Sequence, residues 1–435
     1  MAETRGVTAG EVDELFAPVL ARLSPVVAER GEGCYLWDVN GRRYLDFTCG
    51  IAVTNTGHCH PRVVAAAQTQ VARLIHGQQN IVWHEPLVQL AQELRPVMPP
   101  GLDTFFFSNS GAEAIEASIK LARVATGRPN IIAFERSFHG RTVGTMSLTS
   151  SKTVYRAGYQ PLMPGVFFAP YGYCYRCPVA RRSEGRYGFE NCCLWPLEHI
   201  EWMLHAQTAP EETAAMIVEP VLGEGGYIVP PIEFMRGLRE ICDRHGILLI
   251  ADEIQSGVGR TGRFWALEHF GVVPDVVVMA KGIASGFPLS GIAARRDLMA
   301  KWLPGTHGGT YGGNAVACAA AVATVQVMRE GLVEHAAGMG AHLLSRLREL
   351  QDDFSTIGDV RGLGLMVGTE LMRDGQPAGD FAKHVVADAL EQGLMLLTCG
   401  TDNNVIRWIP PLVVTRQQLD EAVDIFAASL DRHVP

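Results

Sequence analysis

The chain has 435 residues, of which 47% are hydrophobic and 19% charged, and its formal net charge is −9. That length supports two or three structural units and a large core. Acidic and basic residues are interspersed, so there is no basic stripe for nucleic acid or an anionic membrane, and the acidic balance serves solubility.

The opening MAETRGVTAGEVDELF lacks a basic stretch followed by an apolar core, and is not expected to be a secretory signal. GCYLWDVNGRRYLDF (33–47) reads as a hairpin turning at Asn40-Gly41. The first 60 residues are expected to pack with the C-terminal unit. TFFF (104–107) precedes an amphipathic helix whose apolar positions include Ile115, Ile119 and Ala122. IIAF (131–134), AMIV (215–218), ILLIA (247–251) and DVVVMA (275–280) follow. Continuous apolar strands between helices predict a mostly parallel sheet covered on both faces. The most apolar long stretch, 315–328, carries Thr324 and Gln326 and is too short to span a bilayer. It is expected to be a buried core helix. Beyond 331 come a helix (333–350), the strand GLMVGTEL, a helix (381–392), the strand NVIRWI and a last helix from Gln417. The fold class is therefore α/β. A large unit over 61–330 holds the central sheet, and a smaller α+β unit covers 331–435.

In parallel α/β sheets ligands sit beyond the carboxyl ends of the strands. TFFF ends in Ser108, Asn109, Ser110, Gly111 and Ala112, leading into a helix. Small residues at a helix N-terminus can cradle a phosphate; plain N-capping by Ser110 with Glu113 is the alternative. IIAF ends in ERSFHGRT. Phe138 and His139 offer flat faces to a planar ring and Arg141 a carboxylate fork, or the segment is a surface loop with an incidental arginine. ILLIA ends in Asp252, a carboxylate that is costly to bury without a cation. A protonated ring nitrogen would serve, as would a cap or a salt bridge to Arg260 or Arg263. DVVVMA ends in Lys281, where partial desolvation would lower the pKa towards a nucleophilic amine. One planar cofactor bearing a phosphate, a protonated nitrogen and an aldehyde would use all four places.

GIAVTNTGHCHP, SNSGAEAIEASIKLARVATGR, FERSFHGRT, VEPVLGEGG, ADEIQSGVGRTG, AKGIASGFPLSG, GTYGGNAVACAAA and RGLGLMVGTEL together resemble the class III (ornithine/4-aminobutyrate type) aminotransferases, over nearly the whole chain. The resemblance implies pyridoxal 5′-phosphate (PLP) as cofactor and the fold type I architecture of PLP-dependent transferases. It assigns Lys281 to the cofactor aldehyde and to proton shuttling, Asp252 to the ring nitrogen and Gln255 to the phenolic oxygen. Phe138 and His139 would flank the ring, and Ser110, Gly111 and Ala112 would hold the phosphate. Thr310, in GGTYGG, would reach the phosphate across the interface of a homodimer. Arg407 would bind an α-carboxylate, Glu224 would pair with it, Arg141 would grip a distal carboxylate and Ile51 would line the pocket. Arg141, Glu224 and Arg407 together imply transfer from an ω-amino acid such as 4-aminobutyrate to 2-oxoglutarate by ping-pong chemistry. The alternatives on this scaffold are a broad-specificity ornithine or acetylornithine enzyme and an amino-acid racemase or epimerase. A catalytically silent relative would not need Lys281, Asp252 and Gln255 intact.

Most of the ten cysteines are scattered, as expected of reduced thiols in a cytoplasmic protein. Cys174, Cys177, Cys192 and Cys193 cluster in an insertion at 171–195. CxxC suggests zinc, but adjacent cysteines are poor zinc partners and no second CxxC follows. Reduced thiols, or a redox-labile pair, are expected rather than a metal.

Overall fold

The structure is a computed structural model describing residues 14–20, 22–183 and 186–433. Strands β1 (Ala28–Glu32), β2 (Tyr35–Asp38) and β3 (Arg43–Asp46) form an antiparallel meander. The Asp38 carboxylate accepts the N–H groups of Asn40 and Arg42, both at 2.9 Å, and Gly41 takes φ 80°, which closes the Asn-Gly hairpin.

The central sheet contains β4 (Thr104–Ser108), β5 (Asn130–Phe134), β6 (Val166–Ala169), β7 (Thr213–Val218), β8 (Leu248–Asp252), β9 (Val276–Met279) and β10 (Ser290–Ala294). Their order is β4-β10-β9-β8-β7-β5-β6, and β10 alone runs antiparallel to its neighbours. Every residue of β7 is buried. Alternate residues feed two cores. Ile132, Phe134, Met216 and Val218 join one that includes Phe234 and Leu238 of helix Ile232–His245. Ile131, Ala133, Ala215 and Ile217 join the other, with Ile115 and Ile119 of helix Gly111–Thr126. Both faces are thus covered, as continuous apolar strands require.

The C-terminal part contains β11 (Ile357–Leu363), β12 (Met366–Arg373), β13 (Gln376–Pro377), β14 (Leu394–Met395), β15 (Leu397–Cys399) and β16 (Val405–Trp408). β11, β12, β16 and β15 form an antiparallel sheet with β13 paired to β12. β14 instead runs parallel to β3, Leu394 opposite Leu45, tying the chain's beginning to its end.

The apolar stretch at 315–328 forms the largely buried helix Ala315–Val327, as expected. Helix Ala315–Val327 continues through a wide turn, Met328–Leu332, into helix Val333–Asp353. Gly331 adopts φ 119° inside that turn, a conformation open to glycine. The combined helix of 39 residues is long and apolar enough to cross a membrane. Its apolar half nevertheless has no exposed residue between 315 and 328, and packs on helices Pro61–Val71 and Glu85–Leu94.

Candidate active site

The carboxyl ends of β4, β5, β7, β8 and β9 converge on a cavity of about 320 Å³. Its walls include Ser110, Gly111, Ala112, Phe138, His139, Asp252, Gln255 and Lys281, residues that lie as much as 171 positions apart in the sequence. Val278 of β9 lies opposite Asp252, the last residue of β8, which brings Lys281, three residues beyond Val278, to the same rim.

Asp252 is 4% exposed. Its Oδ2 lies 2.7 Å from His139 Nδ1, and its Oδ1 accepts the Ile254 N–H at 3.0 Å. Arg260 does not reach it. That arginine is fully buried elsewhere, donating to Leu365 O, Pro410 O and Asn55 Oδ1. The buried carboxylate therefore faces the cavity with no arginine paired to it among the described residues, and a protonated ring nitrogen would answer its charge. His139 is buried, lines the cavity and is hydrogen-bonded to Asp252, so it also aims the carboxylate. Phe287 also lines the cavity, and the aromatic wall next to His139 is Phe138. Its N–H donates to Glu219 Oε1 at 2.8 Å, and its ring packs edge-on to Tyr155.

Lys281 begins a short 3-10 turn with φ 48° and faces the cavity. Burial lowers its amine pKa from the usual value, while Asp252 and Glu219 pull the other way. A larger neutral, nucleophilic fraction results at neutral pH.

At the phosphate end the capping and cradle readings meet. Ser110 caps the helix beginning at Gly111, and the Glu113 carboxylate takes the Ser110 and Asn109 N–H groups at 2.8 and 2.9 Å. The N–H groups of Gly111 and Ala112 are left for an anion, so the Ser110 amide is not part of the cradle. A Cβ on Gly111 would come within 2.9 Å of Ile254 Cδ1, so glycine here lets the backbone sit close without displacing that side chain. Gln255 is held by Tyr227, whose hydroxyl donates to Gln255 Oε1 at 2.7 Å. The residues present fit PLP: an anion cradle, an aromatic wall, a buried carboxylate and a desolvated lysine share one cavity.

Arg407, on β16, is 3% exposed. Its Nε and Nη2 donate to Thr398 O at 3.1 and 2.8 Å, and its Nη1 lies 2.9 Å from Glu224 Oε2. That last contact is an ion pair without hydrogen-bond alignment, since Nη1 has no geometric acceptor. Burial raises the Glu224 pKa, but Arg407, Lys152 and Tyr155 together outweigh it and hold the carboxyl below its usual range. Arg141 is exposed, its guanidinium 4.5 Å from the centre of the Tyr155 ring and 5.8 Å from that of Phe138, a cavity wall.

Four expected residues are not among those lining the cavity: Arg407 and Arg141, just described, and Ile51 and Thr310. Ile51, with φ 64°, does not line the cavity; its neighbour Val53 does. Thr310 is exposed and outside the cavity of its own chain. Glu219 was missed. It accepts the N–H groups of Phe138 and Gly223, both at 2.8 Å, and so joins two walls of the site. Its signal was available: it directly follows the AMIV strand, as Asp252 follows ILLIA. None of the four clustered cysteines lines this cavity. Three of them line a separate cavity, Cys177 Sγ lies 4.0 Å from Cys193 Sγ, and no group of metal ligands is found among the described residues.

Residues 18–430 match the family described as Aminotransferase class-III. The chain is 43% identical to 5-aminovalerate aminotransferase DavT of Pseudomonas aeruginosa, over 95% of each chain. It is 40% identical to 4-aminobutyrate aminotransferase GabT of Escherichia coli, again over 95% of each. A crystal structure of a PLP-bound amine transaminase from an uncultivated Pseudomonas species superposes with a TM-score of 0.88 at 31% identity, covering 97% of this chain and 99% of that one. With cradle, lysine and carboxylate arranged as fold type I requires, the chain belongs to the class III aminotransferases, which are PLP-dependent.

Proposed function

We propose that this enzyme moves the amino group of an ω-amino acid, 4-aminobutyrate or 5-aminovalerate in kind, to 2-oxoglutarate by a ping-pong reaction. The observation that carries the reading is the buried Glu224–Arg407 pair. An ω-amino acid has no α-carboxylate beside its reacting amine, so an unpaired Arg407 would face a desolvated gap. Glu224 neutralises it. 2-Oxoglutarate does present an α-carboxylate, and Glu224 then yields Arg407, whose Nη1 is not locked by an aligned hydrogen bond. A racemase always receives an α-carboxylate and needs no such exchange. The names of the relatives support the same donors.

Bound PLP supplies an electron sink that stabilises the carbanion formed at the substrate carbon. The chain's residues do the rest. Lys281 Nζ holds the cofactor covalently between turnovers and moves the proton during them. Asp252 keeps a proton on the ring nitrogen, and His139 aims Asp252. Gly111 and Ala112 would bind the phosphate, Phe138 would cover the ring, and Gln255 would serve the phenolic oxygen. Arg141 takes the distal carboxylate.

The test uses the two half-reactions, followed separately by cofactor absorbance in single-turnover mixing. Glu224→Ala is expected to slow the ω-amino half while sparing or speeding the half with glutamate. Arg407→Ala should do the reverse, costing about 2–5 kcal/mol for an α-carboxylate without its buried partner. Equal effects on both halves, or racemisation of α-amino acids faster than consumption of any keto acid, would overturn the reading.

The same reading makes the enzyme a homodimer in which Thr310 completes the partner's phosphate site. Exposed Ile81 (80%), Trp83 (77%) and Tyr311 (65%) support it, since large apolar side chains favour burial at an interface. Thr310→Ala should weaken PLP retention about tenfold, as loss of a charge-assisted hydrogen bond does; sedimentation showing a fully active monomer would contradict this. A cytoplasmic setting agrees with cysteines that are all free among the described residues. A division at 60 and 330 is supported by the separate antiparallel sheet of the C-terminal part and the pairing of β14 with β3.

A further inference from the structure

We propose that Lys152 is the reserve counter-ion of the Glu224–Arg407 switch, the cation that receives Glu224 when an α-carboxylate takes Arg407. The inference rests on the switch just described and adds a residue that sets its balance.

Lys152 follows the segment at 136–151, which includes helix Val143–Ser147, and is not among the residues that line the cavity. Its side chain is only 13% exposed, an unusual position for a lysine. Nζ donates to Asn403 Oδ1 at 2.6 Å and lies 3.4 Å from Glu224 Oε1. Glu224 therefore sits between two cations and offers a different oxygen to each: Oε2 to Arg407 and Oε1 to Lys152. The Tyr155 hydroxyl donates to that same Oε1 at 2.8 Å. Asn403, which anchors Lys152, lies between β15 and β16, the two strands that supply Thr398 and Arg407. Gly400, in the same connection, donates its N–H to Glu224 O at 3.0 Å. Lysine, glutamate and arginine are thus fixed on one frame.

Charge decides what this arrangement favours. With an ω-amino acid bound, Glu224 is shared and the trio keeps one uncompensated positive charge. With an α-carboxylate bound, Arg407 pairs with the substrate and Glu224 with Lys152, and no charge is left over. Without Lys152 the order reverses: the closed pair is neutral, and opening strands a buried carboxylate, which is costly. Lys152 therefore biases the site towards glutamate and 2-oxoglutarate, acting through Glu224. It is a positioning residue.

The experiment uses PLP-loaded enzyme and measures half-saturation and limiting rate for each half-reaction. Lys152→Met should raise half-saturation for glutamate and 2-oxoglutarate about tenfold or more, with limiting rates within about threefold. The ω-amino half should change less than about threefold, and Lys152→Arg should restore the parent values. In a Glu224→Gln background there is no carboxylate to receive, so adding Lys152→Met should change half-saturation by less than about twofold. If Lys152→Met does not fold, Lys152→Gln takes its place in both backgrounds. A loss shared equally by both substrate classes, or one that persists with Glu224→Gln, would overturn the proposal. The glutamate arm decides the role of Lys152 even if no ω-amino acid proves to be a donor, an outcome that would instead sink the proposed donor class.

Discussion

Replacing Lys281 with alanine is expected to remove covalent cofactor binding and to reduce turnover by at least about 10⁴-fold, the upper range for loss of a positioned acid–base group. Lys281 is the only lysine among the residues lining the cavity. It follows a strand whose four residues are all buried, so its backbone cannot shift to let another lysine in. Its φ of 48° is a conformation that side chains other than glycine seldom adopt, and the packed strand holds it there. Burial lowers its pKa, which at neutral pH leaves more free amine to attack an aldehyde. Purified parent protein should be yellow, and borohydride should fix a cofactor-sized mass on the peptide containing Lys281. The variant should lose both signals while keeping its fold by circular dichroism. An adduct on any other lysine would refute the assignment.

The parts of the site that were legible in the sequence are those set by local rules. Asp252 and Lys281 each follow a continuous apolar run, and a charged residue in that place needs a reason beyond packing. Gly111 stands where a strand turns into a helix. The antiparallel strand β10 was not legible: SGIAA is short, made largely of small residues, and resembles a loop. The two helices on either side of Gly331 were legible, and the structure keeps the break, with Gly331 at φ 119° between Ala315–Val327 and Val333–Asp353. The residues around Glu224 were the least legible. Lys152 and Tyr155 lie 72 and 69 positions from it, and Asn403 lies 251 from Lys152. Each sits in polar loop text with no periodicity, and only the tertiary fold brings them together. His139 shows the same limit in a milder form. Its aromatic character suggested a stacking face, and its hydrogen bond to a residue 113 positions away gives it another task.

Asp252→Asn is expected to keep the cofactor and lose about 10²–10³-fold in kcat, the usual loss when one preorganised electrostatic partner is removed. Asparagine has nearly the shape of aspartate, and its carbonyl oxygen can still accept the Ile254 N–H, so the turn after β8 should survive. Gly111, Ala112 and Lys281 hold PLP from its other end, so retention should change little. What disappears is the negative charge at a site only 4% exposed, where water cannot replace it. The ring nitrogen would then lose its proton near neutral pH, and the electron sink would weaken. His139→Gln provides the calibration. It leaves the charge but frees Asp252 from its 2.7 Å hydrogen bond, and such orienting partners contribute about 10–100-fold. Asp252→Asn should therefore be the more severe of the two, with bound PLP at parental stoichiometry in both. If Asp252→Asn stayed within a few-fold of the parent while His139→Gln did not, the charge would be irrelevant, and Asp252 would serve only to hold the turn after β8.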